Sequence, residues 1–226
     1  MYKESARRRN GRSQNALALP KPRQRRSVSA RALRSDTRER ILEAAIRMFG
    51  AYGFESTTMR DLADAVGIKA PGIYSHFSSK EAILNAAVEW AMHSFSSQVI
   101  GPDDPLDLPA HRLKGIVMRH VSNEINDPQA TKAFSMFIFG PARERYVSKQ
   151  AVAQVRSLSK QYIDTVTDIL QQIDRNLKPR EARMRALIIT DMCDSVTRWY
   201  RADGPYSPEK IGNFYWLLVS KIVGLK

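Results

Sequence analysis

STTMRDLADAVGIKAPGIYSHF, residues 56–77, reads as two short helices joined by a tight glycine turn. Thr58 and Asp61 stand in capping-box spacing, where a hydroxyl satisfies free backbone N–H groups and an acid suits the positive helix end. Met59, Leu62, Ala63 and Val66 then form one apolar stripe at helical spacing. Gly67 follows where the backbone must turn left-handed, which glycine does at least cost. Pro71 fits the first turn of the next helix, where its missing N–H is not needed. Ile73 and Phe77, four apart, point to a core. Lys69, Ala70, Gly72, Tyr74, Ser75 and His76 are left for the outer face. Small residues there allow close approach to base edges, and Tyr74, His76 and Lys69 can donate to phosphates. The pattern predicts a helix-turn-helix that lays its second helix into the major groove of DNA.

The flanks extend the pattern. Upstream, Asp36 and Glu39 have capping-box spacing, and Ile41, Ala44, Ala45, Met48, Phe49 and Tyr52 follow on one face until Gly53. Downstream, Ser78 and Glu81 open a helix that carries Ile83, Leu84, Ala87, Val88 and Ala91.

The run RILEAAIRMFGAYGFESTTMRDLADAVGIKAPGIYSHFSSKEAIL, Arg40–Leu84, resembles the DNA-binding domain of the TetR family of one-component bacterial regulators. Phe49 with Gly53, Thr58 with Ala63 and Gly67, and Tyr74 with His76, Phe77 and Lys80 carry the likeness. The resemblance implies an all-α homodimer. Each subunit has an N-terminal three-helix helix-turn-helix DNA-binding domain and a C-terminal helical domain for ligand binding and dimerisation. Ligand binding usually releases the operator. By position, the resemblance makes Thr57 and Thr58 phosphate contacts, places Lys69, Ala70, Gly72, Tyr74 and His76 on the recognition helix, and sends Lys80 to the DNA backbone. The family often has Ser or Thr where Lys69 stands, and Lys69 cannot cap the helix.

With 226 residues and 43% hydrophobic content the chain can build a globular core. No segment approaches the roughly 20 apolar residues of a membrane span. The basic N-terminus lacks the apolar segment of a signal peptide. A single cysteine, Cys193, excludes an internal disulfide and suits a reducing cytoplasm. The expected location is therefore the bacterial cytoplasm, on the nucleoid when bound to DNA. Of the net charge of +13, ten units fall in residues 1–35. That segment lacks apolar periodicity and is expected to be disordered in solution. It reads as a basic arm that follows phosphates or enters the minor groove, as a solvated tail, or as the product of a start codon placed too early. The expected organisation is an arm over 1–34, the reading head over 35–82, and a C-terminal domain over 83–226.

Beyond Ile100 the apolar patterns are all helical and bounded by breakers: GPDDP at 101–105, NDP at 126–128, Gly140-Pro141, 176–179 and 203–205. About nine helices are expected, among them 111–125, 130–139, 147–173, 181–201 and a last one opened by Ser207-Pro208. In the family plan the last two helices pair across a two-fold axis, which makes Met192, Trp199, Ile211, Phe214, Leu218 and Ile222 candidate dimer contacts. The segment RWYRADGPYSPEKIGNFY, 198–215, resembles a TetR branch that includes regulators of steroid and fatty-acid catabolism, some responsive to acyl-CoA thioesters. That resemblance implies a bulky, largely apolar effector. Trp90, Met118, Phe134, Phe137 and Trp199 are its candidate pocket residues, with Arg143, Arg145 and Lys149 as candidates for CoA phosphates at the mouth.

The sequence shows no catalytic motif. His76, His93, His111 and His120 have no metal-ligand spacing with cysteines, and phosphate loops and nucleophile elbows are missing. The expectation is a DNA-binding regulator, not an enzyme, with no cofactor or metal. It is expected to be a repressor released from a palindromic operator by a small apolar effector. The alternative is a ligand-independent structural DNA-binding protein that uses the basic arm.

Overall fold

The computed structural model describes residues 30–140 and 142–225, and all regular structure among them is helical. Ten α-helices run in chain order: α1 (Ala30–Tyr52), α2 (Met59–Ala65), α3 (Ala70–Ile73), α4 (Lys80–Val99), α5 (Pro109–Asn126), α6 (Pro128–Phe139), α7 (Ala142–Tyr146), α8 (Lys149–Ile173), α9 (Pro179–Asp194) and α10 (Pro208–Ile222). Of the basic arm expected over 1–34, residues 1–29 lie outside the described residues, and 30–34 form the start of α1.

The local punctuation read from the sequence sets most boundaries. Gly53, at φ +88°, ends the α1 turn, and Gly67, at φ +71°, makes the turn between α2 and α3. The Thr58 hydroxyl accepts the Asp61 N–H while the Asp61 carboxylate accepts the Thr58 N–H, a complete capping box. Asp127, Ser148 and Ser207 each cap a later helix through the side chain, and Ser79, not the expected Ser78, caps α4 by accepting the Ala82 N–H.

Three expectations fail. Asp36 and Glu39 do not open a helix, because α1 already begins at Ala30 and nothing in residues 30–35 breaks it. The helix expected over 181–201 stops at Asp194 and tightens into a 3₁₀ turn, Ser195–Arg198. There the Ser195 hydroxyl donates to the Met192 carbonyl (2.6 Å) and Thr197 to that of Asp194 (3.0 Å), so side chains compete with the α-helical ladder. The one-turn helix α7 was not anticipated, since five residues are too few to show a period.

Two apolar cores are stacked along the molecule. The first joins Ile41, Leu42, Ile46 and Phe49 of α1 to Leu62, Ile73 and Leu84, and also takes in Phe137 of α6 and Val155 of α8. The second joins Val99 to α5, α8, α9 and α10. Helix α4 starts in the first core and ends in the second. The reading head therefore has no closed core of its own: α1 lies directly on α6, where Phe137 meets Phe49 edge-on at 6.3 Å.

Candidate nucleic-acid interface and internal cavity

Helix α3 is a single turn. Lys69 precedes it in extended conformation without a side-chain cap, and Pro71 fills the first turn. Lys69 and Tyr74 are exposed, Tyr74 at 57%, while Ala70, Gly72 and His76 are half-buried. A Cβ placed on Gly72 would meet only the Ile68 Cβ, at 4.0 Å, so the surface over this residue is open. Beneath, Ile73 is fully buried and Phe77 nearly so. The ridge formed by α3 and its flanks thus exposes Lys69 and Tyr74, and Ala70, Gly72 and His76 in part.

Two of the expected phosphate contacts are placed otherwise. Thr57 is 2% exposed and its hydroxyl donates to the Gly53 carbonyl (2.9 Å), so it closes the α1–α2 turn. The Lys80 ammonium donates to the Phe54 carbonyl (2.7 Å) and sits 4.4 Å over the Phe54 ring. It clamps the same turn. Thr58 remains exposed, with its hydroxyl on Asp61 (2.7 Å). Arg60, next to it, was not singled out by sequence reasoning. It is exposed and only loosely paired with Asp64 at 3.9 Å. Lys80→Ala is expected to destabilise the head by about 1–2 kcal/mol, through the lost hydrogen bond and ring contact. It should leave the salt slope of DNA binding unchanged, as read by thermal melts and by binding at stepped ionic strength.

Between the two cores lies a cavity of about 500 Å³. Its walls come from α1 (Glu43, Ile46, Arg47), α4 (Trp90, Phe95), α5, α6 (Phe134, Phe139), α8 and α9. Trp90 and Phe134 line it as expected. Phe137 does not: it is buried in the first core. Met118 does not either, because its tip lies between α5 and α10 against Gly212. Trp199 stands outside, half-exposed and stacked on Tyr215 at 6.3 Å between ring centres. Arg143, Arg145 and Lys149 are absent from the walls. Arg145 instead pairs with Glu55 and packs on Tyr146. The cation that does line the cavity is Arg47, which donates to Asp127 (2.5 Å) and Glu43 (2.8 Å). Asp127 in turn caps α6, so Arg47 ties the head's long helix to the start of a cavity wall.

The inner wall is polar. His120 Nδ1 lies 2.8 Å from the Tyr162 hydroxyl, and its Nε2 lies 2.8 Å from Asp194 and 3.9 Å from Glu124. Burial, with the nearby Asp194 charge adding to it, pushes the Glu124 carboxyl up to about 8. Burial likewise pushes the Cys193 thiol up, which leaves it an unreactive core residue.

A third surface is apolar. Met184, Leu187 and Ile188 on α9 and Phe214, Leu217 and Ile222 on α10 are all exposed. Of the expected dimer contacts, Phe214 and Ile222 lie on this face, and Leu218 and Met192 are half-buried. Ile211, at 4% exposure, belongs to the molecule's own core. Met184 and Leu217, also exposed here, were not singled out from the sequence. Once the core stripes are assigned, they are the large apolar residues left over.

The fold and the ridge define a helical DNA-binding regulator. Family models agree: residues 41–87 match the bacterial regulatory proteins of the tetR family, and residues 107–223 match the tetracyclin repressor-like C-terminal domain. The chain belongs to the TetR family. It is 28% identical over 189 residues to the HTH-type transcriptional repressor KstR2 of Mycobacterium tuberculosis, covering 80% of this chain and 90% of that one. The solved structure of that ketosteroid transcriptional regulator superposes with a TM-score of 0.65 at 25% identity, over 83% of this chain and 93% of the other. The HTH-type transcriptional activator FasR of Mycolicibacterium smegmatis is 28% identical, over 76% of each chain. The fold is also that of AibR, solved with isovaleryl coenzyme A and operator DNA (TM-score 0.66, 21% identity, 82% of this chain and 97% of that one). Among the described residues no helix is long and apolar enough to cross a membrane.

Proposed function

We propose that the protein is a homodimeric repressor that reads a palindromic operator with two α3 ridges and lets go when a largely apolar effector fills the cavity. One observation carries this reading: the cavity is walled on one side by α1, the central helix of the reading head. A molecule seated there touches the head itself. Its volume of about 500 Å³ accepts a drug-sized apolar body. Trp90, Phe95, Phe134 and Phe139 supply the apolar walls, and Arg47 supplies one cation for an acidic group. An acyl-CoA thioester fits this arrangement with its acyl chain inside and its nucleotide outside, and AibR's complex with isovaleryl coenzyme A supports that class. The effector must favour the released conformation over the bound one by several kcal/mol to empty the operator. Separating Arg47 from Asp127 is the local event that would convert occupancy into movement of α1.

Lys69, Ala70, Gly72, Tyr74 and His76 form the reading surface in this proposal, with Thr58 and Arg60 on phosphates. The two heads meet half-sites about one helical turn apart, on the order of 34 Å. The exposed α9–α10 face, including Phe214, Leu218 and Ile222, pairs the subunits. The protein works in the bacterial cytoplasm, without catalysis.

Selection from a random duplex library tests the reading. The enriched sequence should be a palindrome bound at least about a thousandfold more tightly than random duplex. Isovaleryl-CoA or a longer acyl-CoA should release it, while free CoA should not. Equal affinity for all duplexes would instead make this a structural DNA-coating protein. Removing residues 1–29 tests the arm separately. With eleven basic residues in residues 1–35, nine of them before position 30, a DNA-bound arm should give the full chain a visibly steeper salt dependence than the truncated one. Identical slopes would make the arm a bystander.

A further inference from the structure

We propose that His120, Glu124 and Asp194 bind one divalent transition-metal ion at the inner wall of the cavity. His120 and Glu124 are one helical turn apart on α5 and face the same way. Asp194, the last residue of α9, comes to meet them. Their candidate donor atoms all lie within 4.8 Å of one another. The imidazole Nε2 is 2.8 Å from Asp194 Oδ1 and 3.9 Å from Glu124 Oε1. An ion with ligands at about 2.1 Å holds its donor atoms about 3.0–4.2 Å apart, so side-chain shifts of about 1 Å suffice to close the site.

A second observation points the same way. Glu124 is 4% exposed, and its Oε2 is buried without a hydrogen-bond partner. Buried carboxylate oxygens are rarely left so, because the cost is high. Among the described residues the ion-pair partner of both carboxylates is His120, so no lysine or arginine balances them. A dication does.

The surroundings supply what a metal-bound imidazole needs. With its proton on Nδ1, His120 donates to the Tyr162 hydroxyl at 2.8 Å and turns the Nε2 lone pair to the two carboxylates. Phe95, edge-on at 4.9 Å, holds the ring in place. One imidazole and two carboxylates form a nitrogen–oxygen set that suits Zn²⁺, Ni²⁺, Co²⁺ or Mn²⁺ and not a thiophilic ion such as Cu⁺. The Asp194 side chain is 59% exposed, so an ion can enter from outside. All three residues line the cavity, which leaves the ion's remaining positions open to a water or to an oxygen of whatever occupies it. This site does not depend on the DNA-reading proposal.

The test uses the full chain, freed of metal by chelation and titrated with Co²⁺ alone. The expected result is a saturable visible absorption at one ion per subunit, displaced by Zn²⁺. Asp194→Asn and Glu124→Gln should each weaken binding at least about tenfold, and Tyr162→Phe should weaken it by a comparable factor through the loss of its orienting bond. His111→Ala, which breaks an exposed pair between the start of the same helix and Asp107, should change nothing. A featureless titration, or a signal that survives Asp194→Asn, overturns the proposal. Because Asp194 is largely exposed, that variant stays decisive even if Glu124→Gln fails to fold.

Discussion

Tyr74→Ala is expected to abolish sequence-specific DNA binding while leaving the fold intact. The side chain is 57% exposed at the end of α3, so truncation opens no cavity, and stability should stay within about 0.5 kcal/mol. In the complex each ridge would lose a contact worth about 1–2 kcal/mol. Two ridges together lose about 2–4 kcal/mol, a fall of about 30- to 1,000-fold in operator affinity. Fluorescence anisotropy on the selected palindrome, with a thermal melt beside it, reads both quantities. Unchanged affinity would remove α3 as the reading element.

Phe214→Glu should have a still larger effect, although the residue is remote from α3. Phe214 is the most exposed of the large apolar side chains on α10, and it shares its face with Leu217 and Ile222. A carboxylate in the middle of a pairing surface must be desolvated without a partner, which a dimer cannot absorb. The variant should run as a monomer in light-scattering chromatography. A lone head grips one half-site, so operator binding should fall by about three orders of magnitude or more. A variant that stays dimeric would place the subunit contact elsewhere. A variant that is monomeric yet binds normally would break the link between pairing and recognition.

The reading head was legible because its signals are local. Thr58 with Asp61, Gly67 and Pro71 each dictate backbone shape within a few residues of themselves, and the structure uses all of them in that way. The clamp by Lys80 was not legible because its partners, Phe54 and Glu55, lie about 25 residues away, and nothing in its neighbourhood announces it. Thr57 fared similarly: next to a true cap, its own hydroxyl turns back to Gly53. In α6, Phe134 and Phe137 stand three positions apart, only about 60° around the helix. Periodicity cannot say which side meets the cavity and which the core. The cavity's inner wall was partly visible as His120 and Glu124 at one-turn spacing. Asp194, 74 residues from His120, joins them only through the packing of α9 on α5.

The seam between α1 and α6 bears on protein engineering. Regulators of this architecture invite the exchange of heads, so that one sensor is wired to another promoter. Here Phe49 and Phe137 interlock across that seam and Arg47 reaches over it to Asp127. A transplanted head would bring a foreign surface to both contacts. Chimeras of this chain should transmit a signal only when the cut falls outside the α1–α6 pair, or when both partners of each contact travel together.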